Sequence, residues 1–175
     1  MQTELLPGFL GPVALGPEML ELGPGPGAST EWLRGRVGHL TVLEVDEDAA
    51  AKLEVRFAGT NVDVLMGSAT TRTAFKDSSF DSVGAFTMLH HVPSISAQNR
   101  LFAEALRVLR PGGLLVGSDS LPSDRLHHFH VEDVYNPLDP GTLLTRLQTV
   151  GFAHITVIMD THLKFIARKA ADDDE

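Results

Sequence analysis

The sequence predicts an α/β domain, doubly wound about a mostly parallel sheet, with an antiparallel strand at its C-terminal end. Three observations carry that prediction. From Glu18 onward, strand-like apolar runs alternate with helix-like segments. A glycine-rich turn, Glu21-Leu22-Gly23-Pro24-Gly25-Pro26-Gly27-Ala28-Ser29-Thr30, joins the first apolar run to a helix start. The last two apolar runs, Ala153 to Met159 and His162 to Arg168, are split only by Asp160-Thr161. They form a hairpin, so one of them must run against the other strands.

Taken in order, residues 1–17 contain Pro7-Gly8, Gly11-Pro12 and Gly16-Pro17, pairs that predict an irregular arm ahead of a domain over residues 18–170. The arm's apolar residues (Leu5, Leu6, Phe9, Leu10, Val13, Leu15) predict that it packs, as a cover for one sheet face or as part of a lid. Met19-Leu20 marks the first strand, and a helix follows from Ser29 or Thr30. Leu40 to Val45 is a buried strand ended by Asp46-Glu47, and Asp48 to Phe57 is a helix with Ala50, Leu53 and Phe57 inward. Val62 to Met66 and Asp81 to Phe86 are the next strands. A helix from about Ser96 to Leu109 is stopped by Pro111-Gly112-Gly113, and Leu114 to Gly117 is a fifth strand. Pro140 to Val150 forms a helix capped by Gly151, before the hairpin. Residues 171–175 form an acidic tail.

The bulk composition narrows the function. With 175 residues, the chain has the length of one domain. A formal net charge of -9 argues against binding a phosphate backbone, which needs clustered Lys and Arg. No run is long enough to span a membrane, no signal segment opens the chain, and there are no cysteines. A cytoplasmic protein with no membrane or nucleic-acid partner is the expectation. The oligomeric state is not legible.

Chemistry concentrates at the glycine turn. Gly23 and Gly25 let the backbone approach a ligand that a β-carbon would push away. Glu44 lies about twenty residues on, at the end of the second strand, where a carboxylate can accept hydrogen bonds from both hydroxyls of a ribose. Asp46 competes for that role, and both acids have the alternative of capping the next helix. Gly23-x-Gly25-x-x-Ala28 also fits a dinucleotide fingerprint. However, Glu21 stands two residues before the first glycine, where a carboxylate would repel a pyrophosphate and favour a cationic cofactor.

With these pieces in view, the chain resembles the class I S-adenosylmethionine-dependent methyltransferases, of the small single-domain, small-molecule type. The resemblance rests on Glu21 to Gly27, Leu43-Glu44-Val45-Asp46, Gly67-Ser68-Ala69, Phe80-Asp81-Ser82-Val83, Leu89-His90-His91-Val92 and Glu104-Ala105-Leu106-Arg107-Val108-Leu109-Arg110-Pro111-Gly112-Gly113. It implies a Rossmann-like sheet of seven strands with the last inserted antiparallel between its neighbours, and S-adenosylmethionine as cofactor. Carried over by position, it puts Glu21, Gly23 and Gly25 around the methionine part, with Leu22, Pro24 and Gly27 completing the loop. Glu44 would hold the ribose and Val45 would lie under the adenine, with Ser68 and Ala69 at the adenine edge. Phe86 and Thr87 would line the space near the sulfonium. Ser68 departs from the Asp common in the family, which implies a weaker acceptor for the adenine amino group. The Asn/Asp-Pro-Pro-aromatic turn of base-methylating relatives is absent, as the chain reads Phe86-Thr87-Met88-Leu89-His90-His91 there.

The histidines bear on the acceptor. His90 and His91 follow the fourth strand, and either could accept a proton from a nucleophile or simply order the loop. His127-His128-x-His130, with Glu132 and Asp133, invites a metal reading, but a histidine-rich loop more readily supplies substrate contacts. His127, His130, Tyr135 and Asn136 are therefore expected on the substrate side, with no metal. The expected reaction is direct methyl transfer to a small-molecule acceptor. The competing readings are a cofactor-binding module without turnover and an NAD(P)-dependent reductase.

Overall fold

The computed structural model describes residues 2–121 and 134–172. The strands are β1 (Glu18–Leu22), β2 (His39–Glu44), β3 (Val62–Met66), β4 (Phe80–Phe86), β5 (Leu109–Asp119), β6 (Phe152–Met159) and β7 (Leu163–Lys169). The helices are α1 (Gln2–Leu10), α2 (Ala28–Leu33), α3 (Glu47–Phe57), α4 (Ile95–Val108) and α5 (Pro140–Val150), with a 3-10 turn at Leu89–His91. The seven strands form one sheet in the order β3-β2-β1-β4-β5-β7-β6. The pairs from β3 through β5 are parallel, and β7 runs antiparallel to both β5 and β6. The antiparallel strand is thus inserted, and β6 and β3 are the two edge strands.

Strand alternation sorts side chains onto two faces. On one face Leu6, Leu10, Met19, Leu33, Val42, Leu53 and Phe57 make a core under α1, α2 and α3. On the other, Leu20, Leu22, Leu43, Ala85, Leu101, Phe102, Leu143 and Phe165 make a second core under α4 and α5. Each fully buried Leu or Phe contributes about 1.5–3 kcal/mol. The α4 stripe of Ala97, Leu101, Ala105 and Val108 follows from a helical spacing of four, four and three. Ser94 starts that helix by accepting from the Ala97 N–H at 3.1 Å.

Two expectations need correction. The N-terminal segment is not irregular throughout, because α1 runs through Pro7 and Gly8 and stops at Leu10. Pro7 removes one hydrogen bond, and the buried Leu6, Phe9 and Leu10 outweigh that loss by packing in the core shared with α2 and α3. The Pro-Gly-Gly segment does not separate helix from strand, because β5 already begins at Leu109. Its pairing with β4 slips between Phe80 and Ser82, which takes up the extra residues before the regular ladder starts at Leu114. β5 also continues two residues past Gly117, to Asp119. Among the described residues no helix is long and apolar enough to cross a membrane.

Candidate functional site

The chain crosses from β1 to β2 on one side and returns to β4 on the other, so β1 and β4 lie side by side. Ligands of open α/β sheets bind at such a switch point, outside the carboxyl ends of the strands. The glycine turn leaves β1 there. Gly25 sits at φ +53 and nothing lies within 4 Å of where its β-carbon would be. Gly27 caps α2 at φ +81, and a β-carbon there would meet Leu53 at 2.8 Å and Phe57 at 2.9 Å. Pro24 accepts from the Gly27 N–H at 3.0 Å, and Pro26 accepts from Arg56 at 2.6 Å. The loop is therefore fixed from behind and open in front.

Glu21 lies behind it. Its side chain is fully buried, and its two oxygens accept from the Ser29 and Thr30 hydroxyls of α2, the latter at 2.6 Å. Burial pushes its carboxyl up to about 7; the two hydroxyl hydrogen bonds oppose the rise and the nearby Glu44 adds to it. The expected contact with the methionine end of a cofactor is not what the geometry offers. Glu21 ties the loop to α2, and its charge reaches the loop only through the protein.

Glu44, at the end of β2, is 6% exposed. Its Oε2 accepts from the Gly25 N–H at 3.2 Å, while Oε1 accepts from Val45 and Asp46 at 2.8 and 3.1 Å. A carboxylate has about four acceptor positions, so a donor arriving at Oε2 can be added beside Gly25. Asp46 instead caps α3, accepting from the Ala49 N–H at 2.8 Å. Val45 leaves its apolar side chain 70% exposed beside Glu44.

A cavity of about 210 Å³ opens at this end of the sheet, with Leu22, Gly23, Val45, Ser68, Ala69 and Met88 on its wall, while Gly25 and Pro26 line a separate hollow with Asp46 and Arg56. Ser68 shares a 2.8 Å hydrogen bond with the Thr70 hydroxyl. The segment carrying Ser68, Ala69 and Thr70 is anchored from α4. Glu104 accepts from the Thr73 N–H at 2.8 Å, and Arg107 donates to Phe75 O at 2.9 Å. Burial alone would raise Glu104, but the donors from Arg107 and Thr73 hold it down at about 2. The Glu104-to-Arg107 part of the motif therefore serves the cavity from a distance.

Beyond β4 the expected residues separate. Phe86 is buried in the core under α1–α3, on the face away from the cavity, so its side chain does not line it. Strand alternation explains this, since Ala85 takes the cavity face. Thr87 adopts φ +56, unusual for a β-branched residue, and its N–H donates to Ser118 O at 2.7 Å. His91 is exposed and lines the cavity, whereas His90 is 5% exposed. Asp119, at the end of β5, accepts from His90 Nδ1 at 2.5 Å and from the His90 N–H at 3.1 Å. Ending β5 at Gly117, as the apolar run alone suggests, leaves Asp119 out of the site. The signal that points to it is an acid at the end of a strand neighbouring β4.

Asn136 is not turned to a substrate. Its N–H donates to His90 O at 2.7 Å and its amide to Val92 O at 2.9 Å. Gln98, fully buried on α4, donates to Leu89 O at 3.0 Å and Asn136 O at 2.8 Å, and accepts from Arg146 at 2.8 Å. The Tyr135 ring lies 6.1 Å from His90, edge to face. His127 and His130, with Glu132 and Asp133, lie outside the described residues. Among the described residues no cluster of three or more His, Cys, Asp or Glu converges as a metal site would.

Comparison with known proteins adds a family. The family model described as "Methyltransferase domain" matches residues 20–117, more than half of the chain. Phthiotriol/phenolphthiotriol dimycocerosates methyltransferase 1 of Mycobacterium ulcerans is 30% identical over 125 residues, covering 70% of this chain and 45% of that protein. Ribosomal RNA small subunit methyltransferase A of Aromatoleum aromaticum is 41% identical over 54 residues, covering 31% of this chain and 20% of that protein. The chain thus spans less than half the length of these curated relatives. Phosphoethanolamine N-methyltransferase 2 of Haemonchus contortus, solved with S-adenosyl-L-methionine, superposes with a TM-score of 0.79 at 17% identity, over 97% of this chain and 52% of that one. At that identity the likeness speaks for the fold.

Proposed function

The chain belongs to the class I S-adenosylmethionine-dependent methyltransferases, and from that membership we propose that it transfers a methyl group to a small-molecule acceptor by direct displacement. The observation that carries the reading is the cavity at the carboxyl ends of β1 to β4, with Gly23 of the glycine loop on its wall and Glu44 placed between the lining residues Leu43 and Val45 and bonded to Gly25. These residues fit the family's cofactor. The empty space beside Gly25 admits close approach, Glu44 keeps acceptor capacity for a ribose hydroxyl, and the exposed Val45 offers an apolar platform for adenine. Leu22, Gly23, Ser68 and Ala69 complete that wall. When bound, the cofactor supplies an activated methyl group.

The protein's part is then alignment and exclusion of water. Holding two reactants in line is worth roughly 7–11 kcal/mol of barrier, against the smaller contribution of a proton acceptor. His91 on the cavity wall and the buried His90 behind it stand where an acceptor would meet the donor. Thr87 follows β4, where its N–H donates to Ser118 O at 2.7 Å.

A small acceptor is favoured by the net charge of -9, which would repel a phosphate backbone. The ribosomal RNA methyltransferase likeness extends over 31% of this chain, too little to carry the acceptor with it. Turnover of radiolabelled S-adenosylmethionine against a metabolite panel, with ribosomal RNA as a separate arm, tests this. Label in a small molecule is the expected result. Label only in RNA would overturn the acceptor class, and binding without transfer to any arm would favour a cofactor-binding module. Tight NAD(P) binding with none for S-adenosylmethionine would overturn the whole reading.

A further inference from the structure

The cavity at the ends of β1 to β4 is apolar over most of its wall, with Leu22, Leu43, Val45, Val92 and Leu101 among its lining. The polar side chains that line it are Ser68, Thr70 and His91, and no carboxylate is among them. Ser68 and Thr70 lie two residues apart in the segment after β3, with their hydroxyl oxygens 2.8 Å from each other. Ser68 Oγ also accepts from the Thr70 N–H at 3.3 Å. The segment is pinned at several points. The Thr71 hydroxyl donates to Ser68 O at 3.2 Å, Arg100 of α4 donates to Thr70 O at 3.2 Å, and Glu104 accepts from the Thr73 N–H at 2.8 Å. The backbone that carries the pair is therefore held, while the two hydroxyl protons can turn.

Counting donors and acceptors gives the pair two states, because either hydroxyl can be the donor in their shared bond. A hydroxyl has one proton to donate and two lone pairs. With Ser68 donating to Thr70, Ser68 keeps one lone pair for a ligand, since the Thr70 N–H holds the other, and Thr70 keeps its proton. With Thr70 donating to Ser68, both lone pairs of Ser68 are taken; Ser68 then donates to a ligand and Thr70 accepts. One state presents an acceptor beside a donor, and the other presents the same edge reversed. Only rotation about two C–O bonds separates them.

We propose that the Ser68–Thr70 pair meets the hydrogen-bonding edge of the cofactor's purine and takes it in either sense, so that the site binds the 6-oxo (hypoxanthine) form of the cofactor about as well as the 6-amino (adenine) form. This rests on the methyltransferase reading above. With the ribose at Glu44, the attached base falls to the apolar cavity beside it, where the pair supplies the hydroxyls. Adenine presents a donor at its 6-amino group and an acceptor at N1. Hypoxanthine presents an acceptor at O6 and a donor at N1, the reverse of that edge. A carboxylate at position 68 would offer acceptors only and would favour the amino form. The hydroxyl pair reverses with its ligand instead, and neither complex leaves one of the two hydroxyls unpaired.

The test is calorimetric titration of the full chain, as wild type, Ser68→Asp and Ser68→Ala, with S-adenosylhomocysteine and with S-inosylhomocysteine, its 6-oxo counterpart. The wild type should bind the two with affinities within about tenfold of each other, the range of one neutral hydrogen bond. Ser68→Asp should hold the 6-amino compound and weaken the 6-oxo compound roughly 10- to 150-fold relative to it, because a fixed acceptor then faces a carbonyl oxygen. Ser68→Ala should weaken both compounds by a similar factor and leave their ratio within about tenfold; it carries the comparison if Ser68→Asp does not fold. A wild-type preference beyond tenfold for either compound, a ratio that Ser68→Asp leaves unchanged, or undiminished affinity for both in Ser68→Ala would each overturn the proposal alone. A wild-type chain that binds neither compound would instead sink the methyltransferase reading.

Discussion

The half of the sheet from β1 to β3 and the half from β4 to β7 face the same cavity but are built by different means. On the β1 side the wall is mostly backbone and short-range contact. Glu21 is held by Ser29 and Thr30, eight and nine residues on, and Glu44 by Gly25 and its own two successors. On the β4 side the wall depends on side chains that meet from far along the chain. His90 meets Asp119 across 29 residues, and Gln98 meets Asn136 across 38. The first half can be altered one residue at a time with local effect. In the second, removing a single partner leaves several buried groups without theirs.

Four substitutions sharpen that contrast, in falling order of expected effect. Asp119→Asn on the β4 side removes the carboxylate that holds the His90 ring and N–H, and should lower turnover more than any other single change while sparing cofactor affinity. Glu44→Ala on the β1 side should do the reverse. Losing charge-assisted bonds worth about 1.5–3 kcal/mol weakens S-adenosylmethionine binding roughly 10- to 150-fold by calorimetry, with turnover of bound cofactor changed less. If both substitutions moved affinity and turnover together, the division between the halves would be wrong.

The next two compare stability. Gln98→Ala strips Leu89 O, Asn136 O and Arg146 of a buried partner. It should cost about 2–3 kcal/mol in urea unfolding and loosen the 89–92 turn. Gly27→Ala forces a side chain into φ +81 against Leu53 and Phe57, but those are side-chain ends that can yield. About 1–3 kcal/mol is expected, with the β4 side unaffected.

Glu21 adds a pH signature confined to the β1 side. Its folded value of about 7 lies above the ordinary 4.5, so the folded chain holds this proton more tightly than the unfolded one. The associated stability is fully present below about pH 4.5 and is lost as pH rises toward 7. The shift corresponds to a loss on the order of 3 kcal/mol. Glu21→Gln should flatten that part of the stability profile and leave a chain more stable than wild type at pH 8. An unchanged slope between pH 5 and 7.5 would mean that Glu21 is not the group responsible.

The same contrast explains which parts of the fold and site are legible in the sequence. The glycine turn, Glu44, the strands from β2 to β4 and the terminal hairpin announce themselves through local spacing, and their bounds agree within a residue or two. Helix α1 does not, because Pro7 and Gly8 speak against it locally and only burial against the core under α1–α3 decides for it. Phe86 is misplaced by the resemblance, which supplies a position in sequence, whereas strand parity decides the face. Asn136 reads as a substrate contact from its loop, and only the fold shows its amide turned to Val92. Asp119 depends on β5 running on past Gly117 beside β4, a fact of register that no window of residues contains.

In the function proposed above, the glycine loop and Glu44 hold S-adenosylmethionine at the ends of β1 to β4. Calorimetric titration of the wild-type chain and of Glu44→Ala with S-adenosylmethionine tests it most directly. The account predicts one site in the wild type, weakened at least tenfold by the substitution. Equal affinity in the two proteins, or no binding in the wild type, would contradict it.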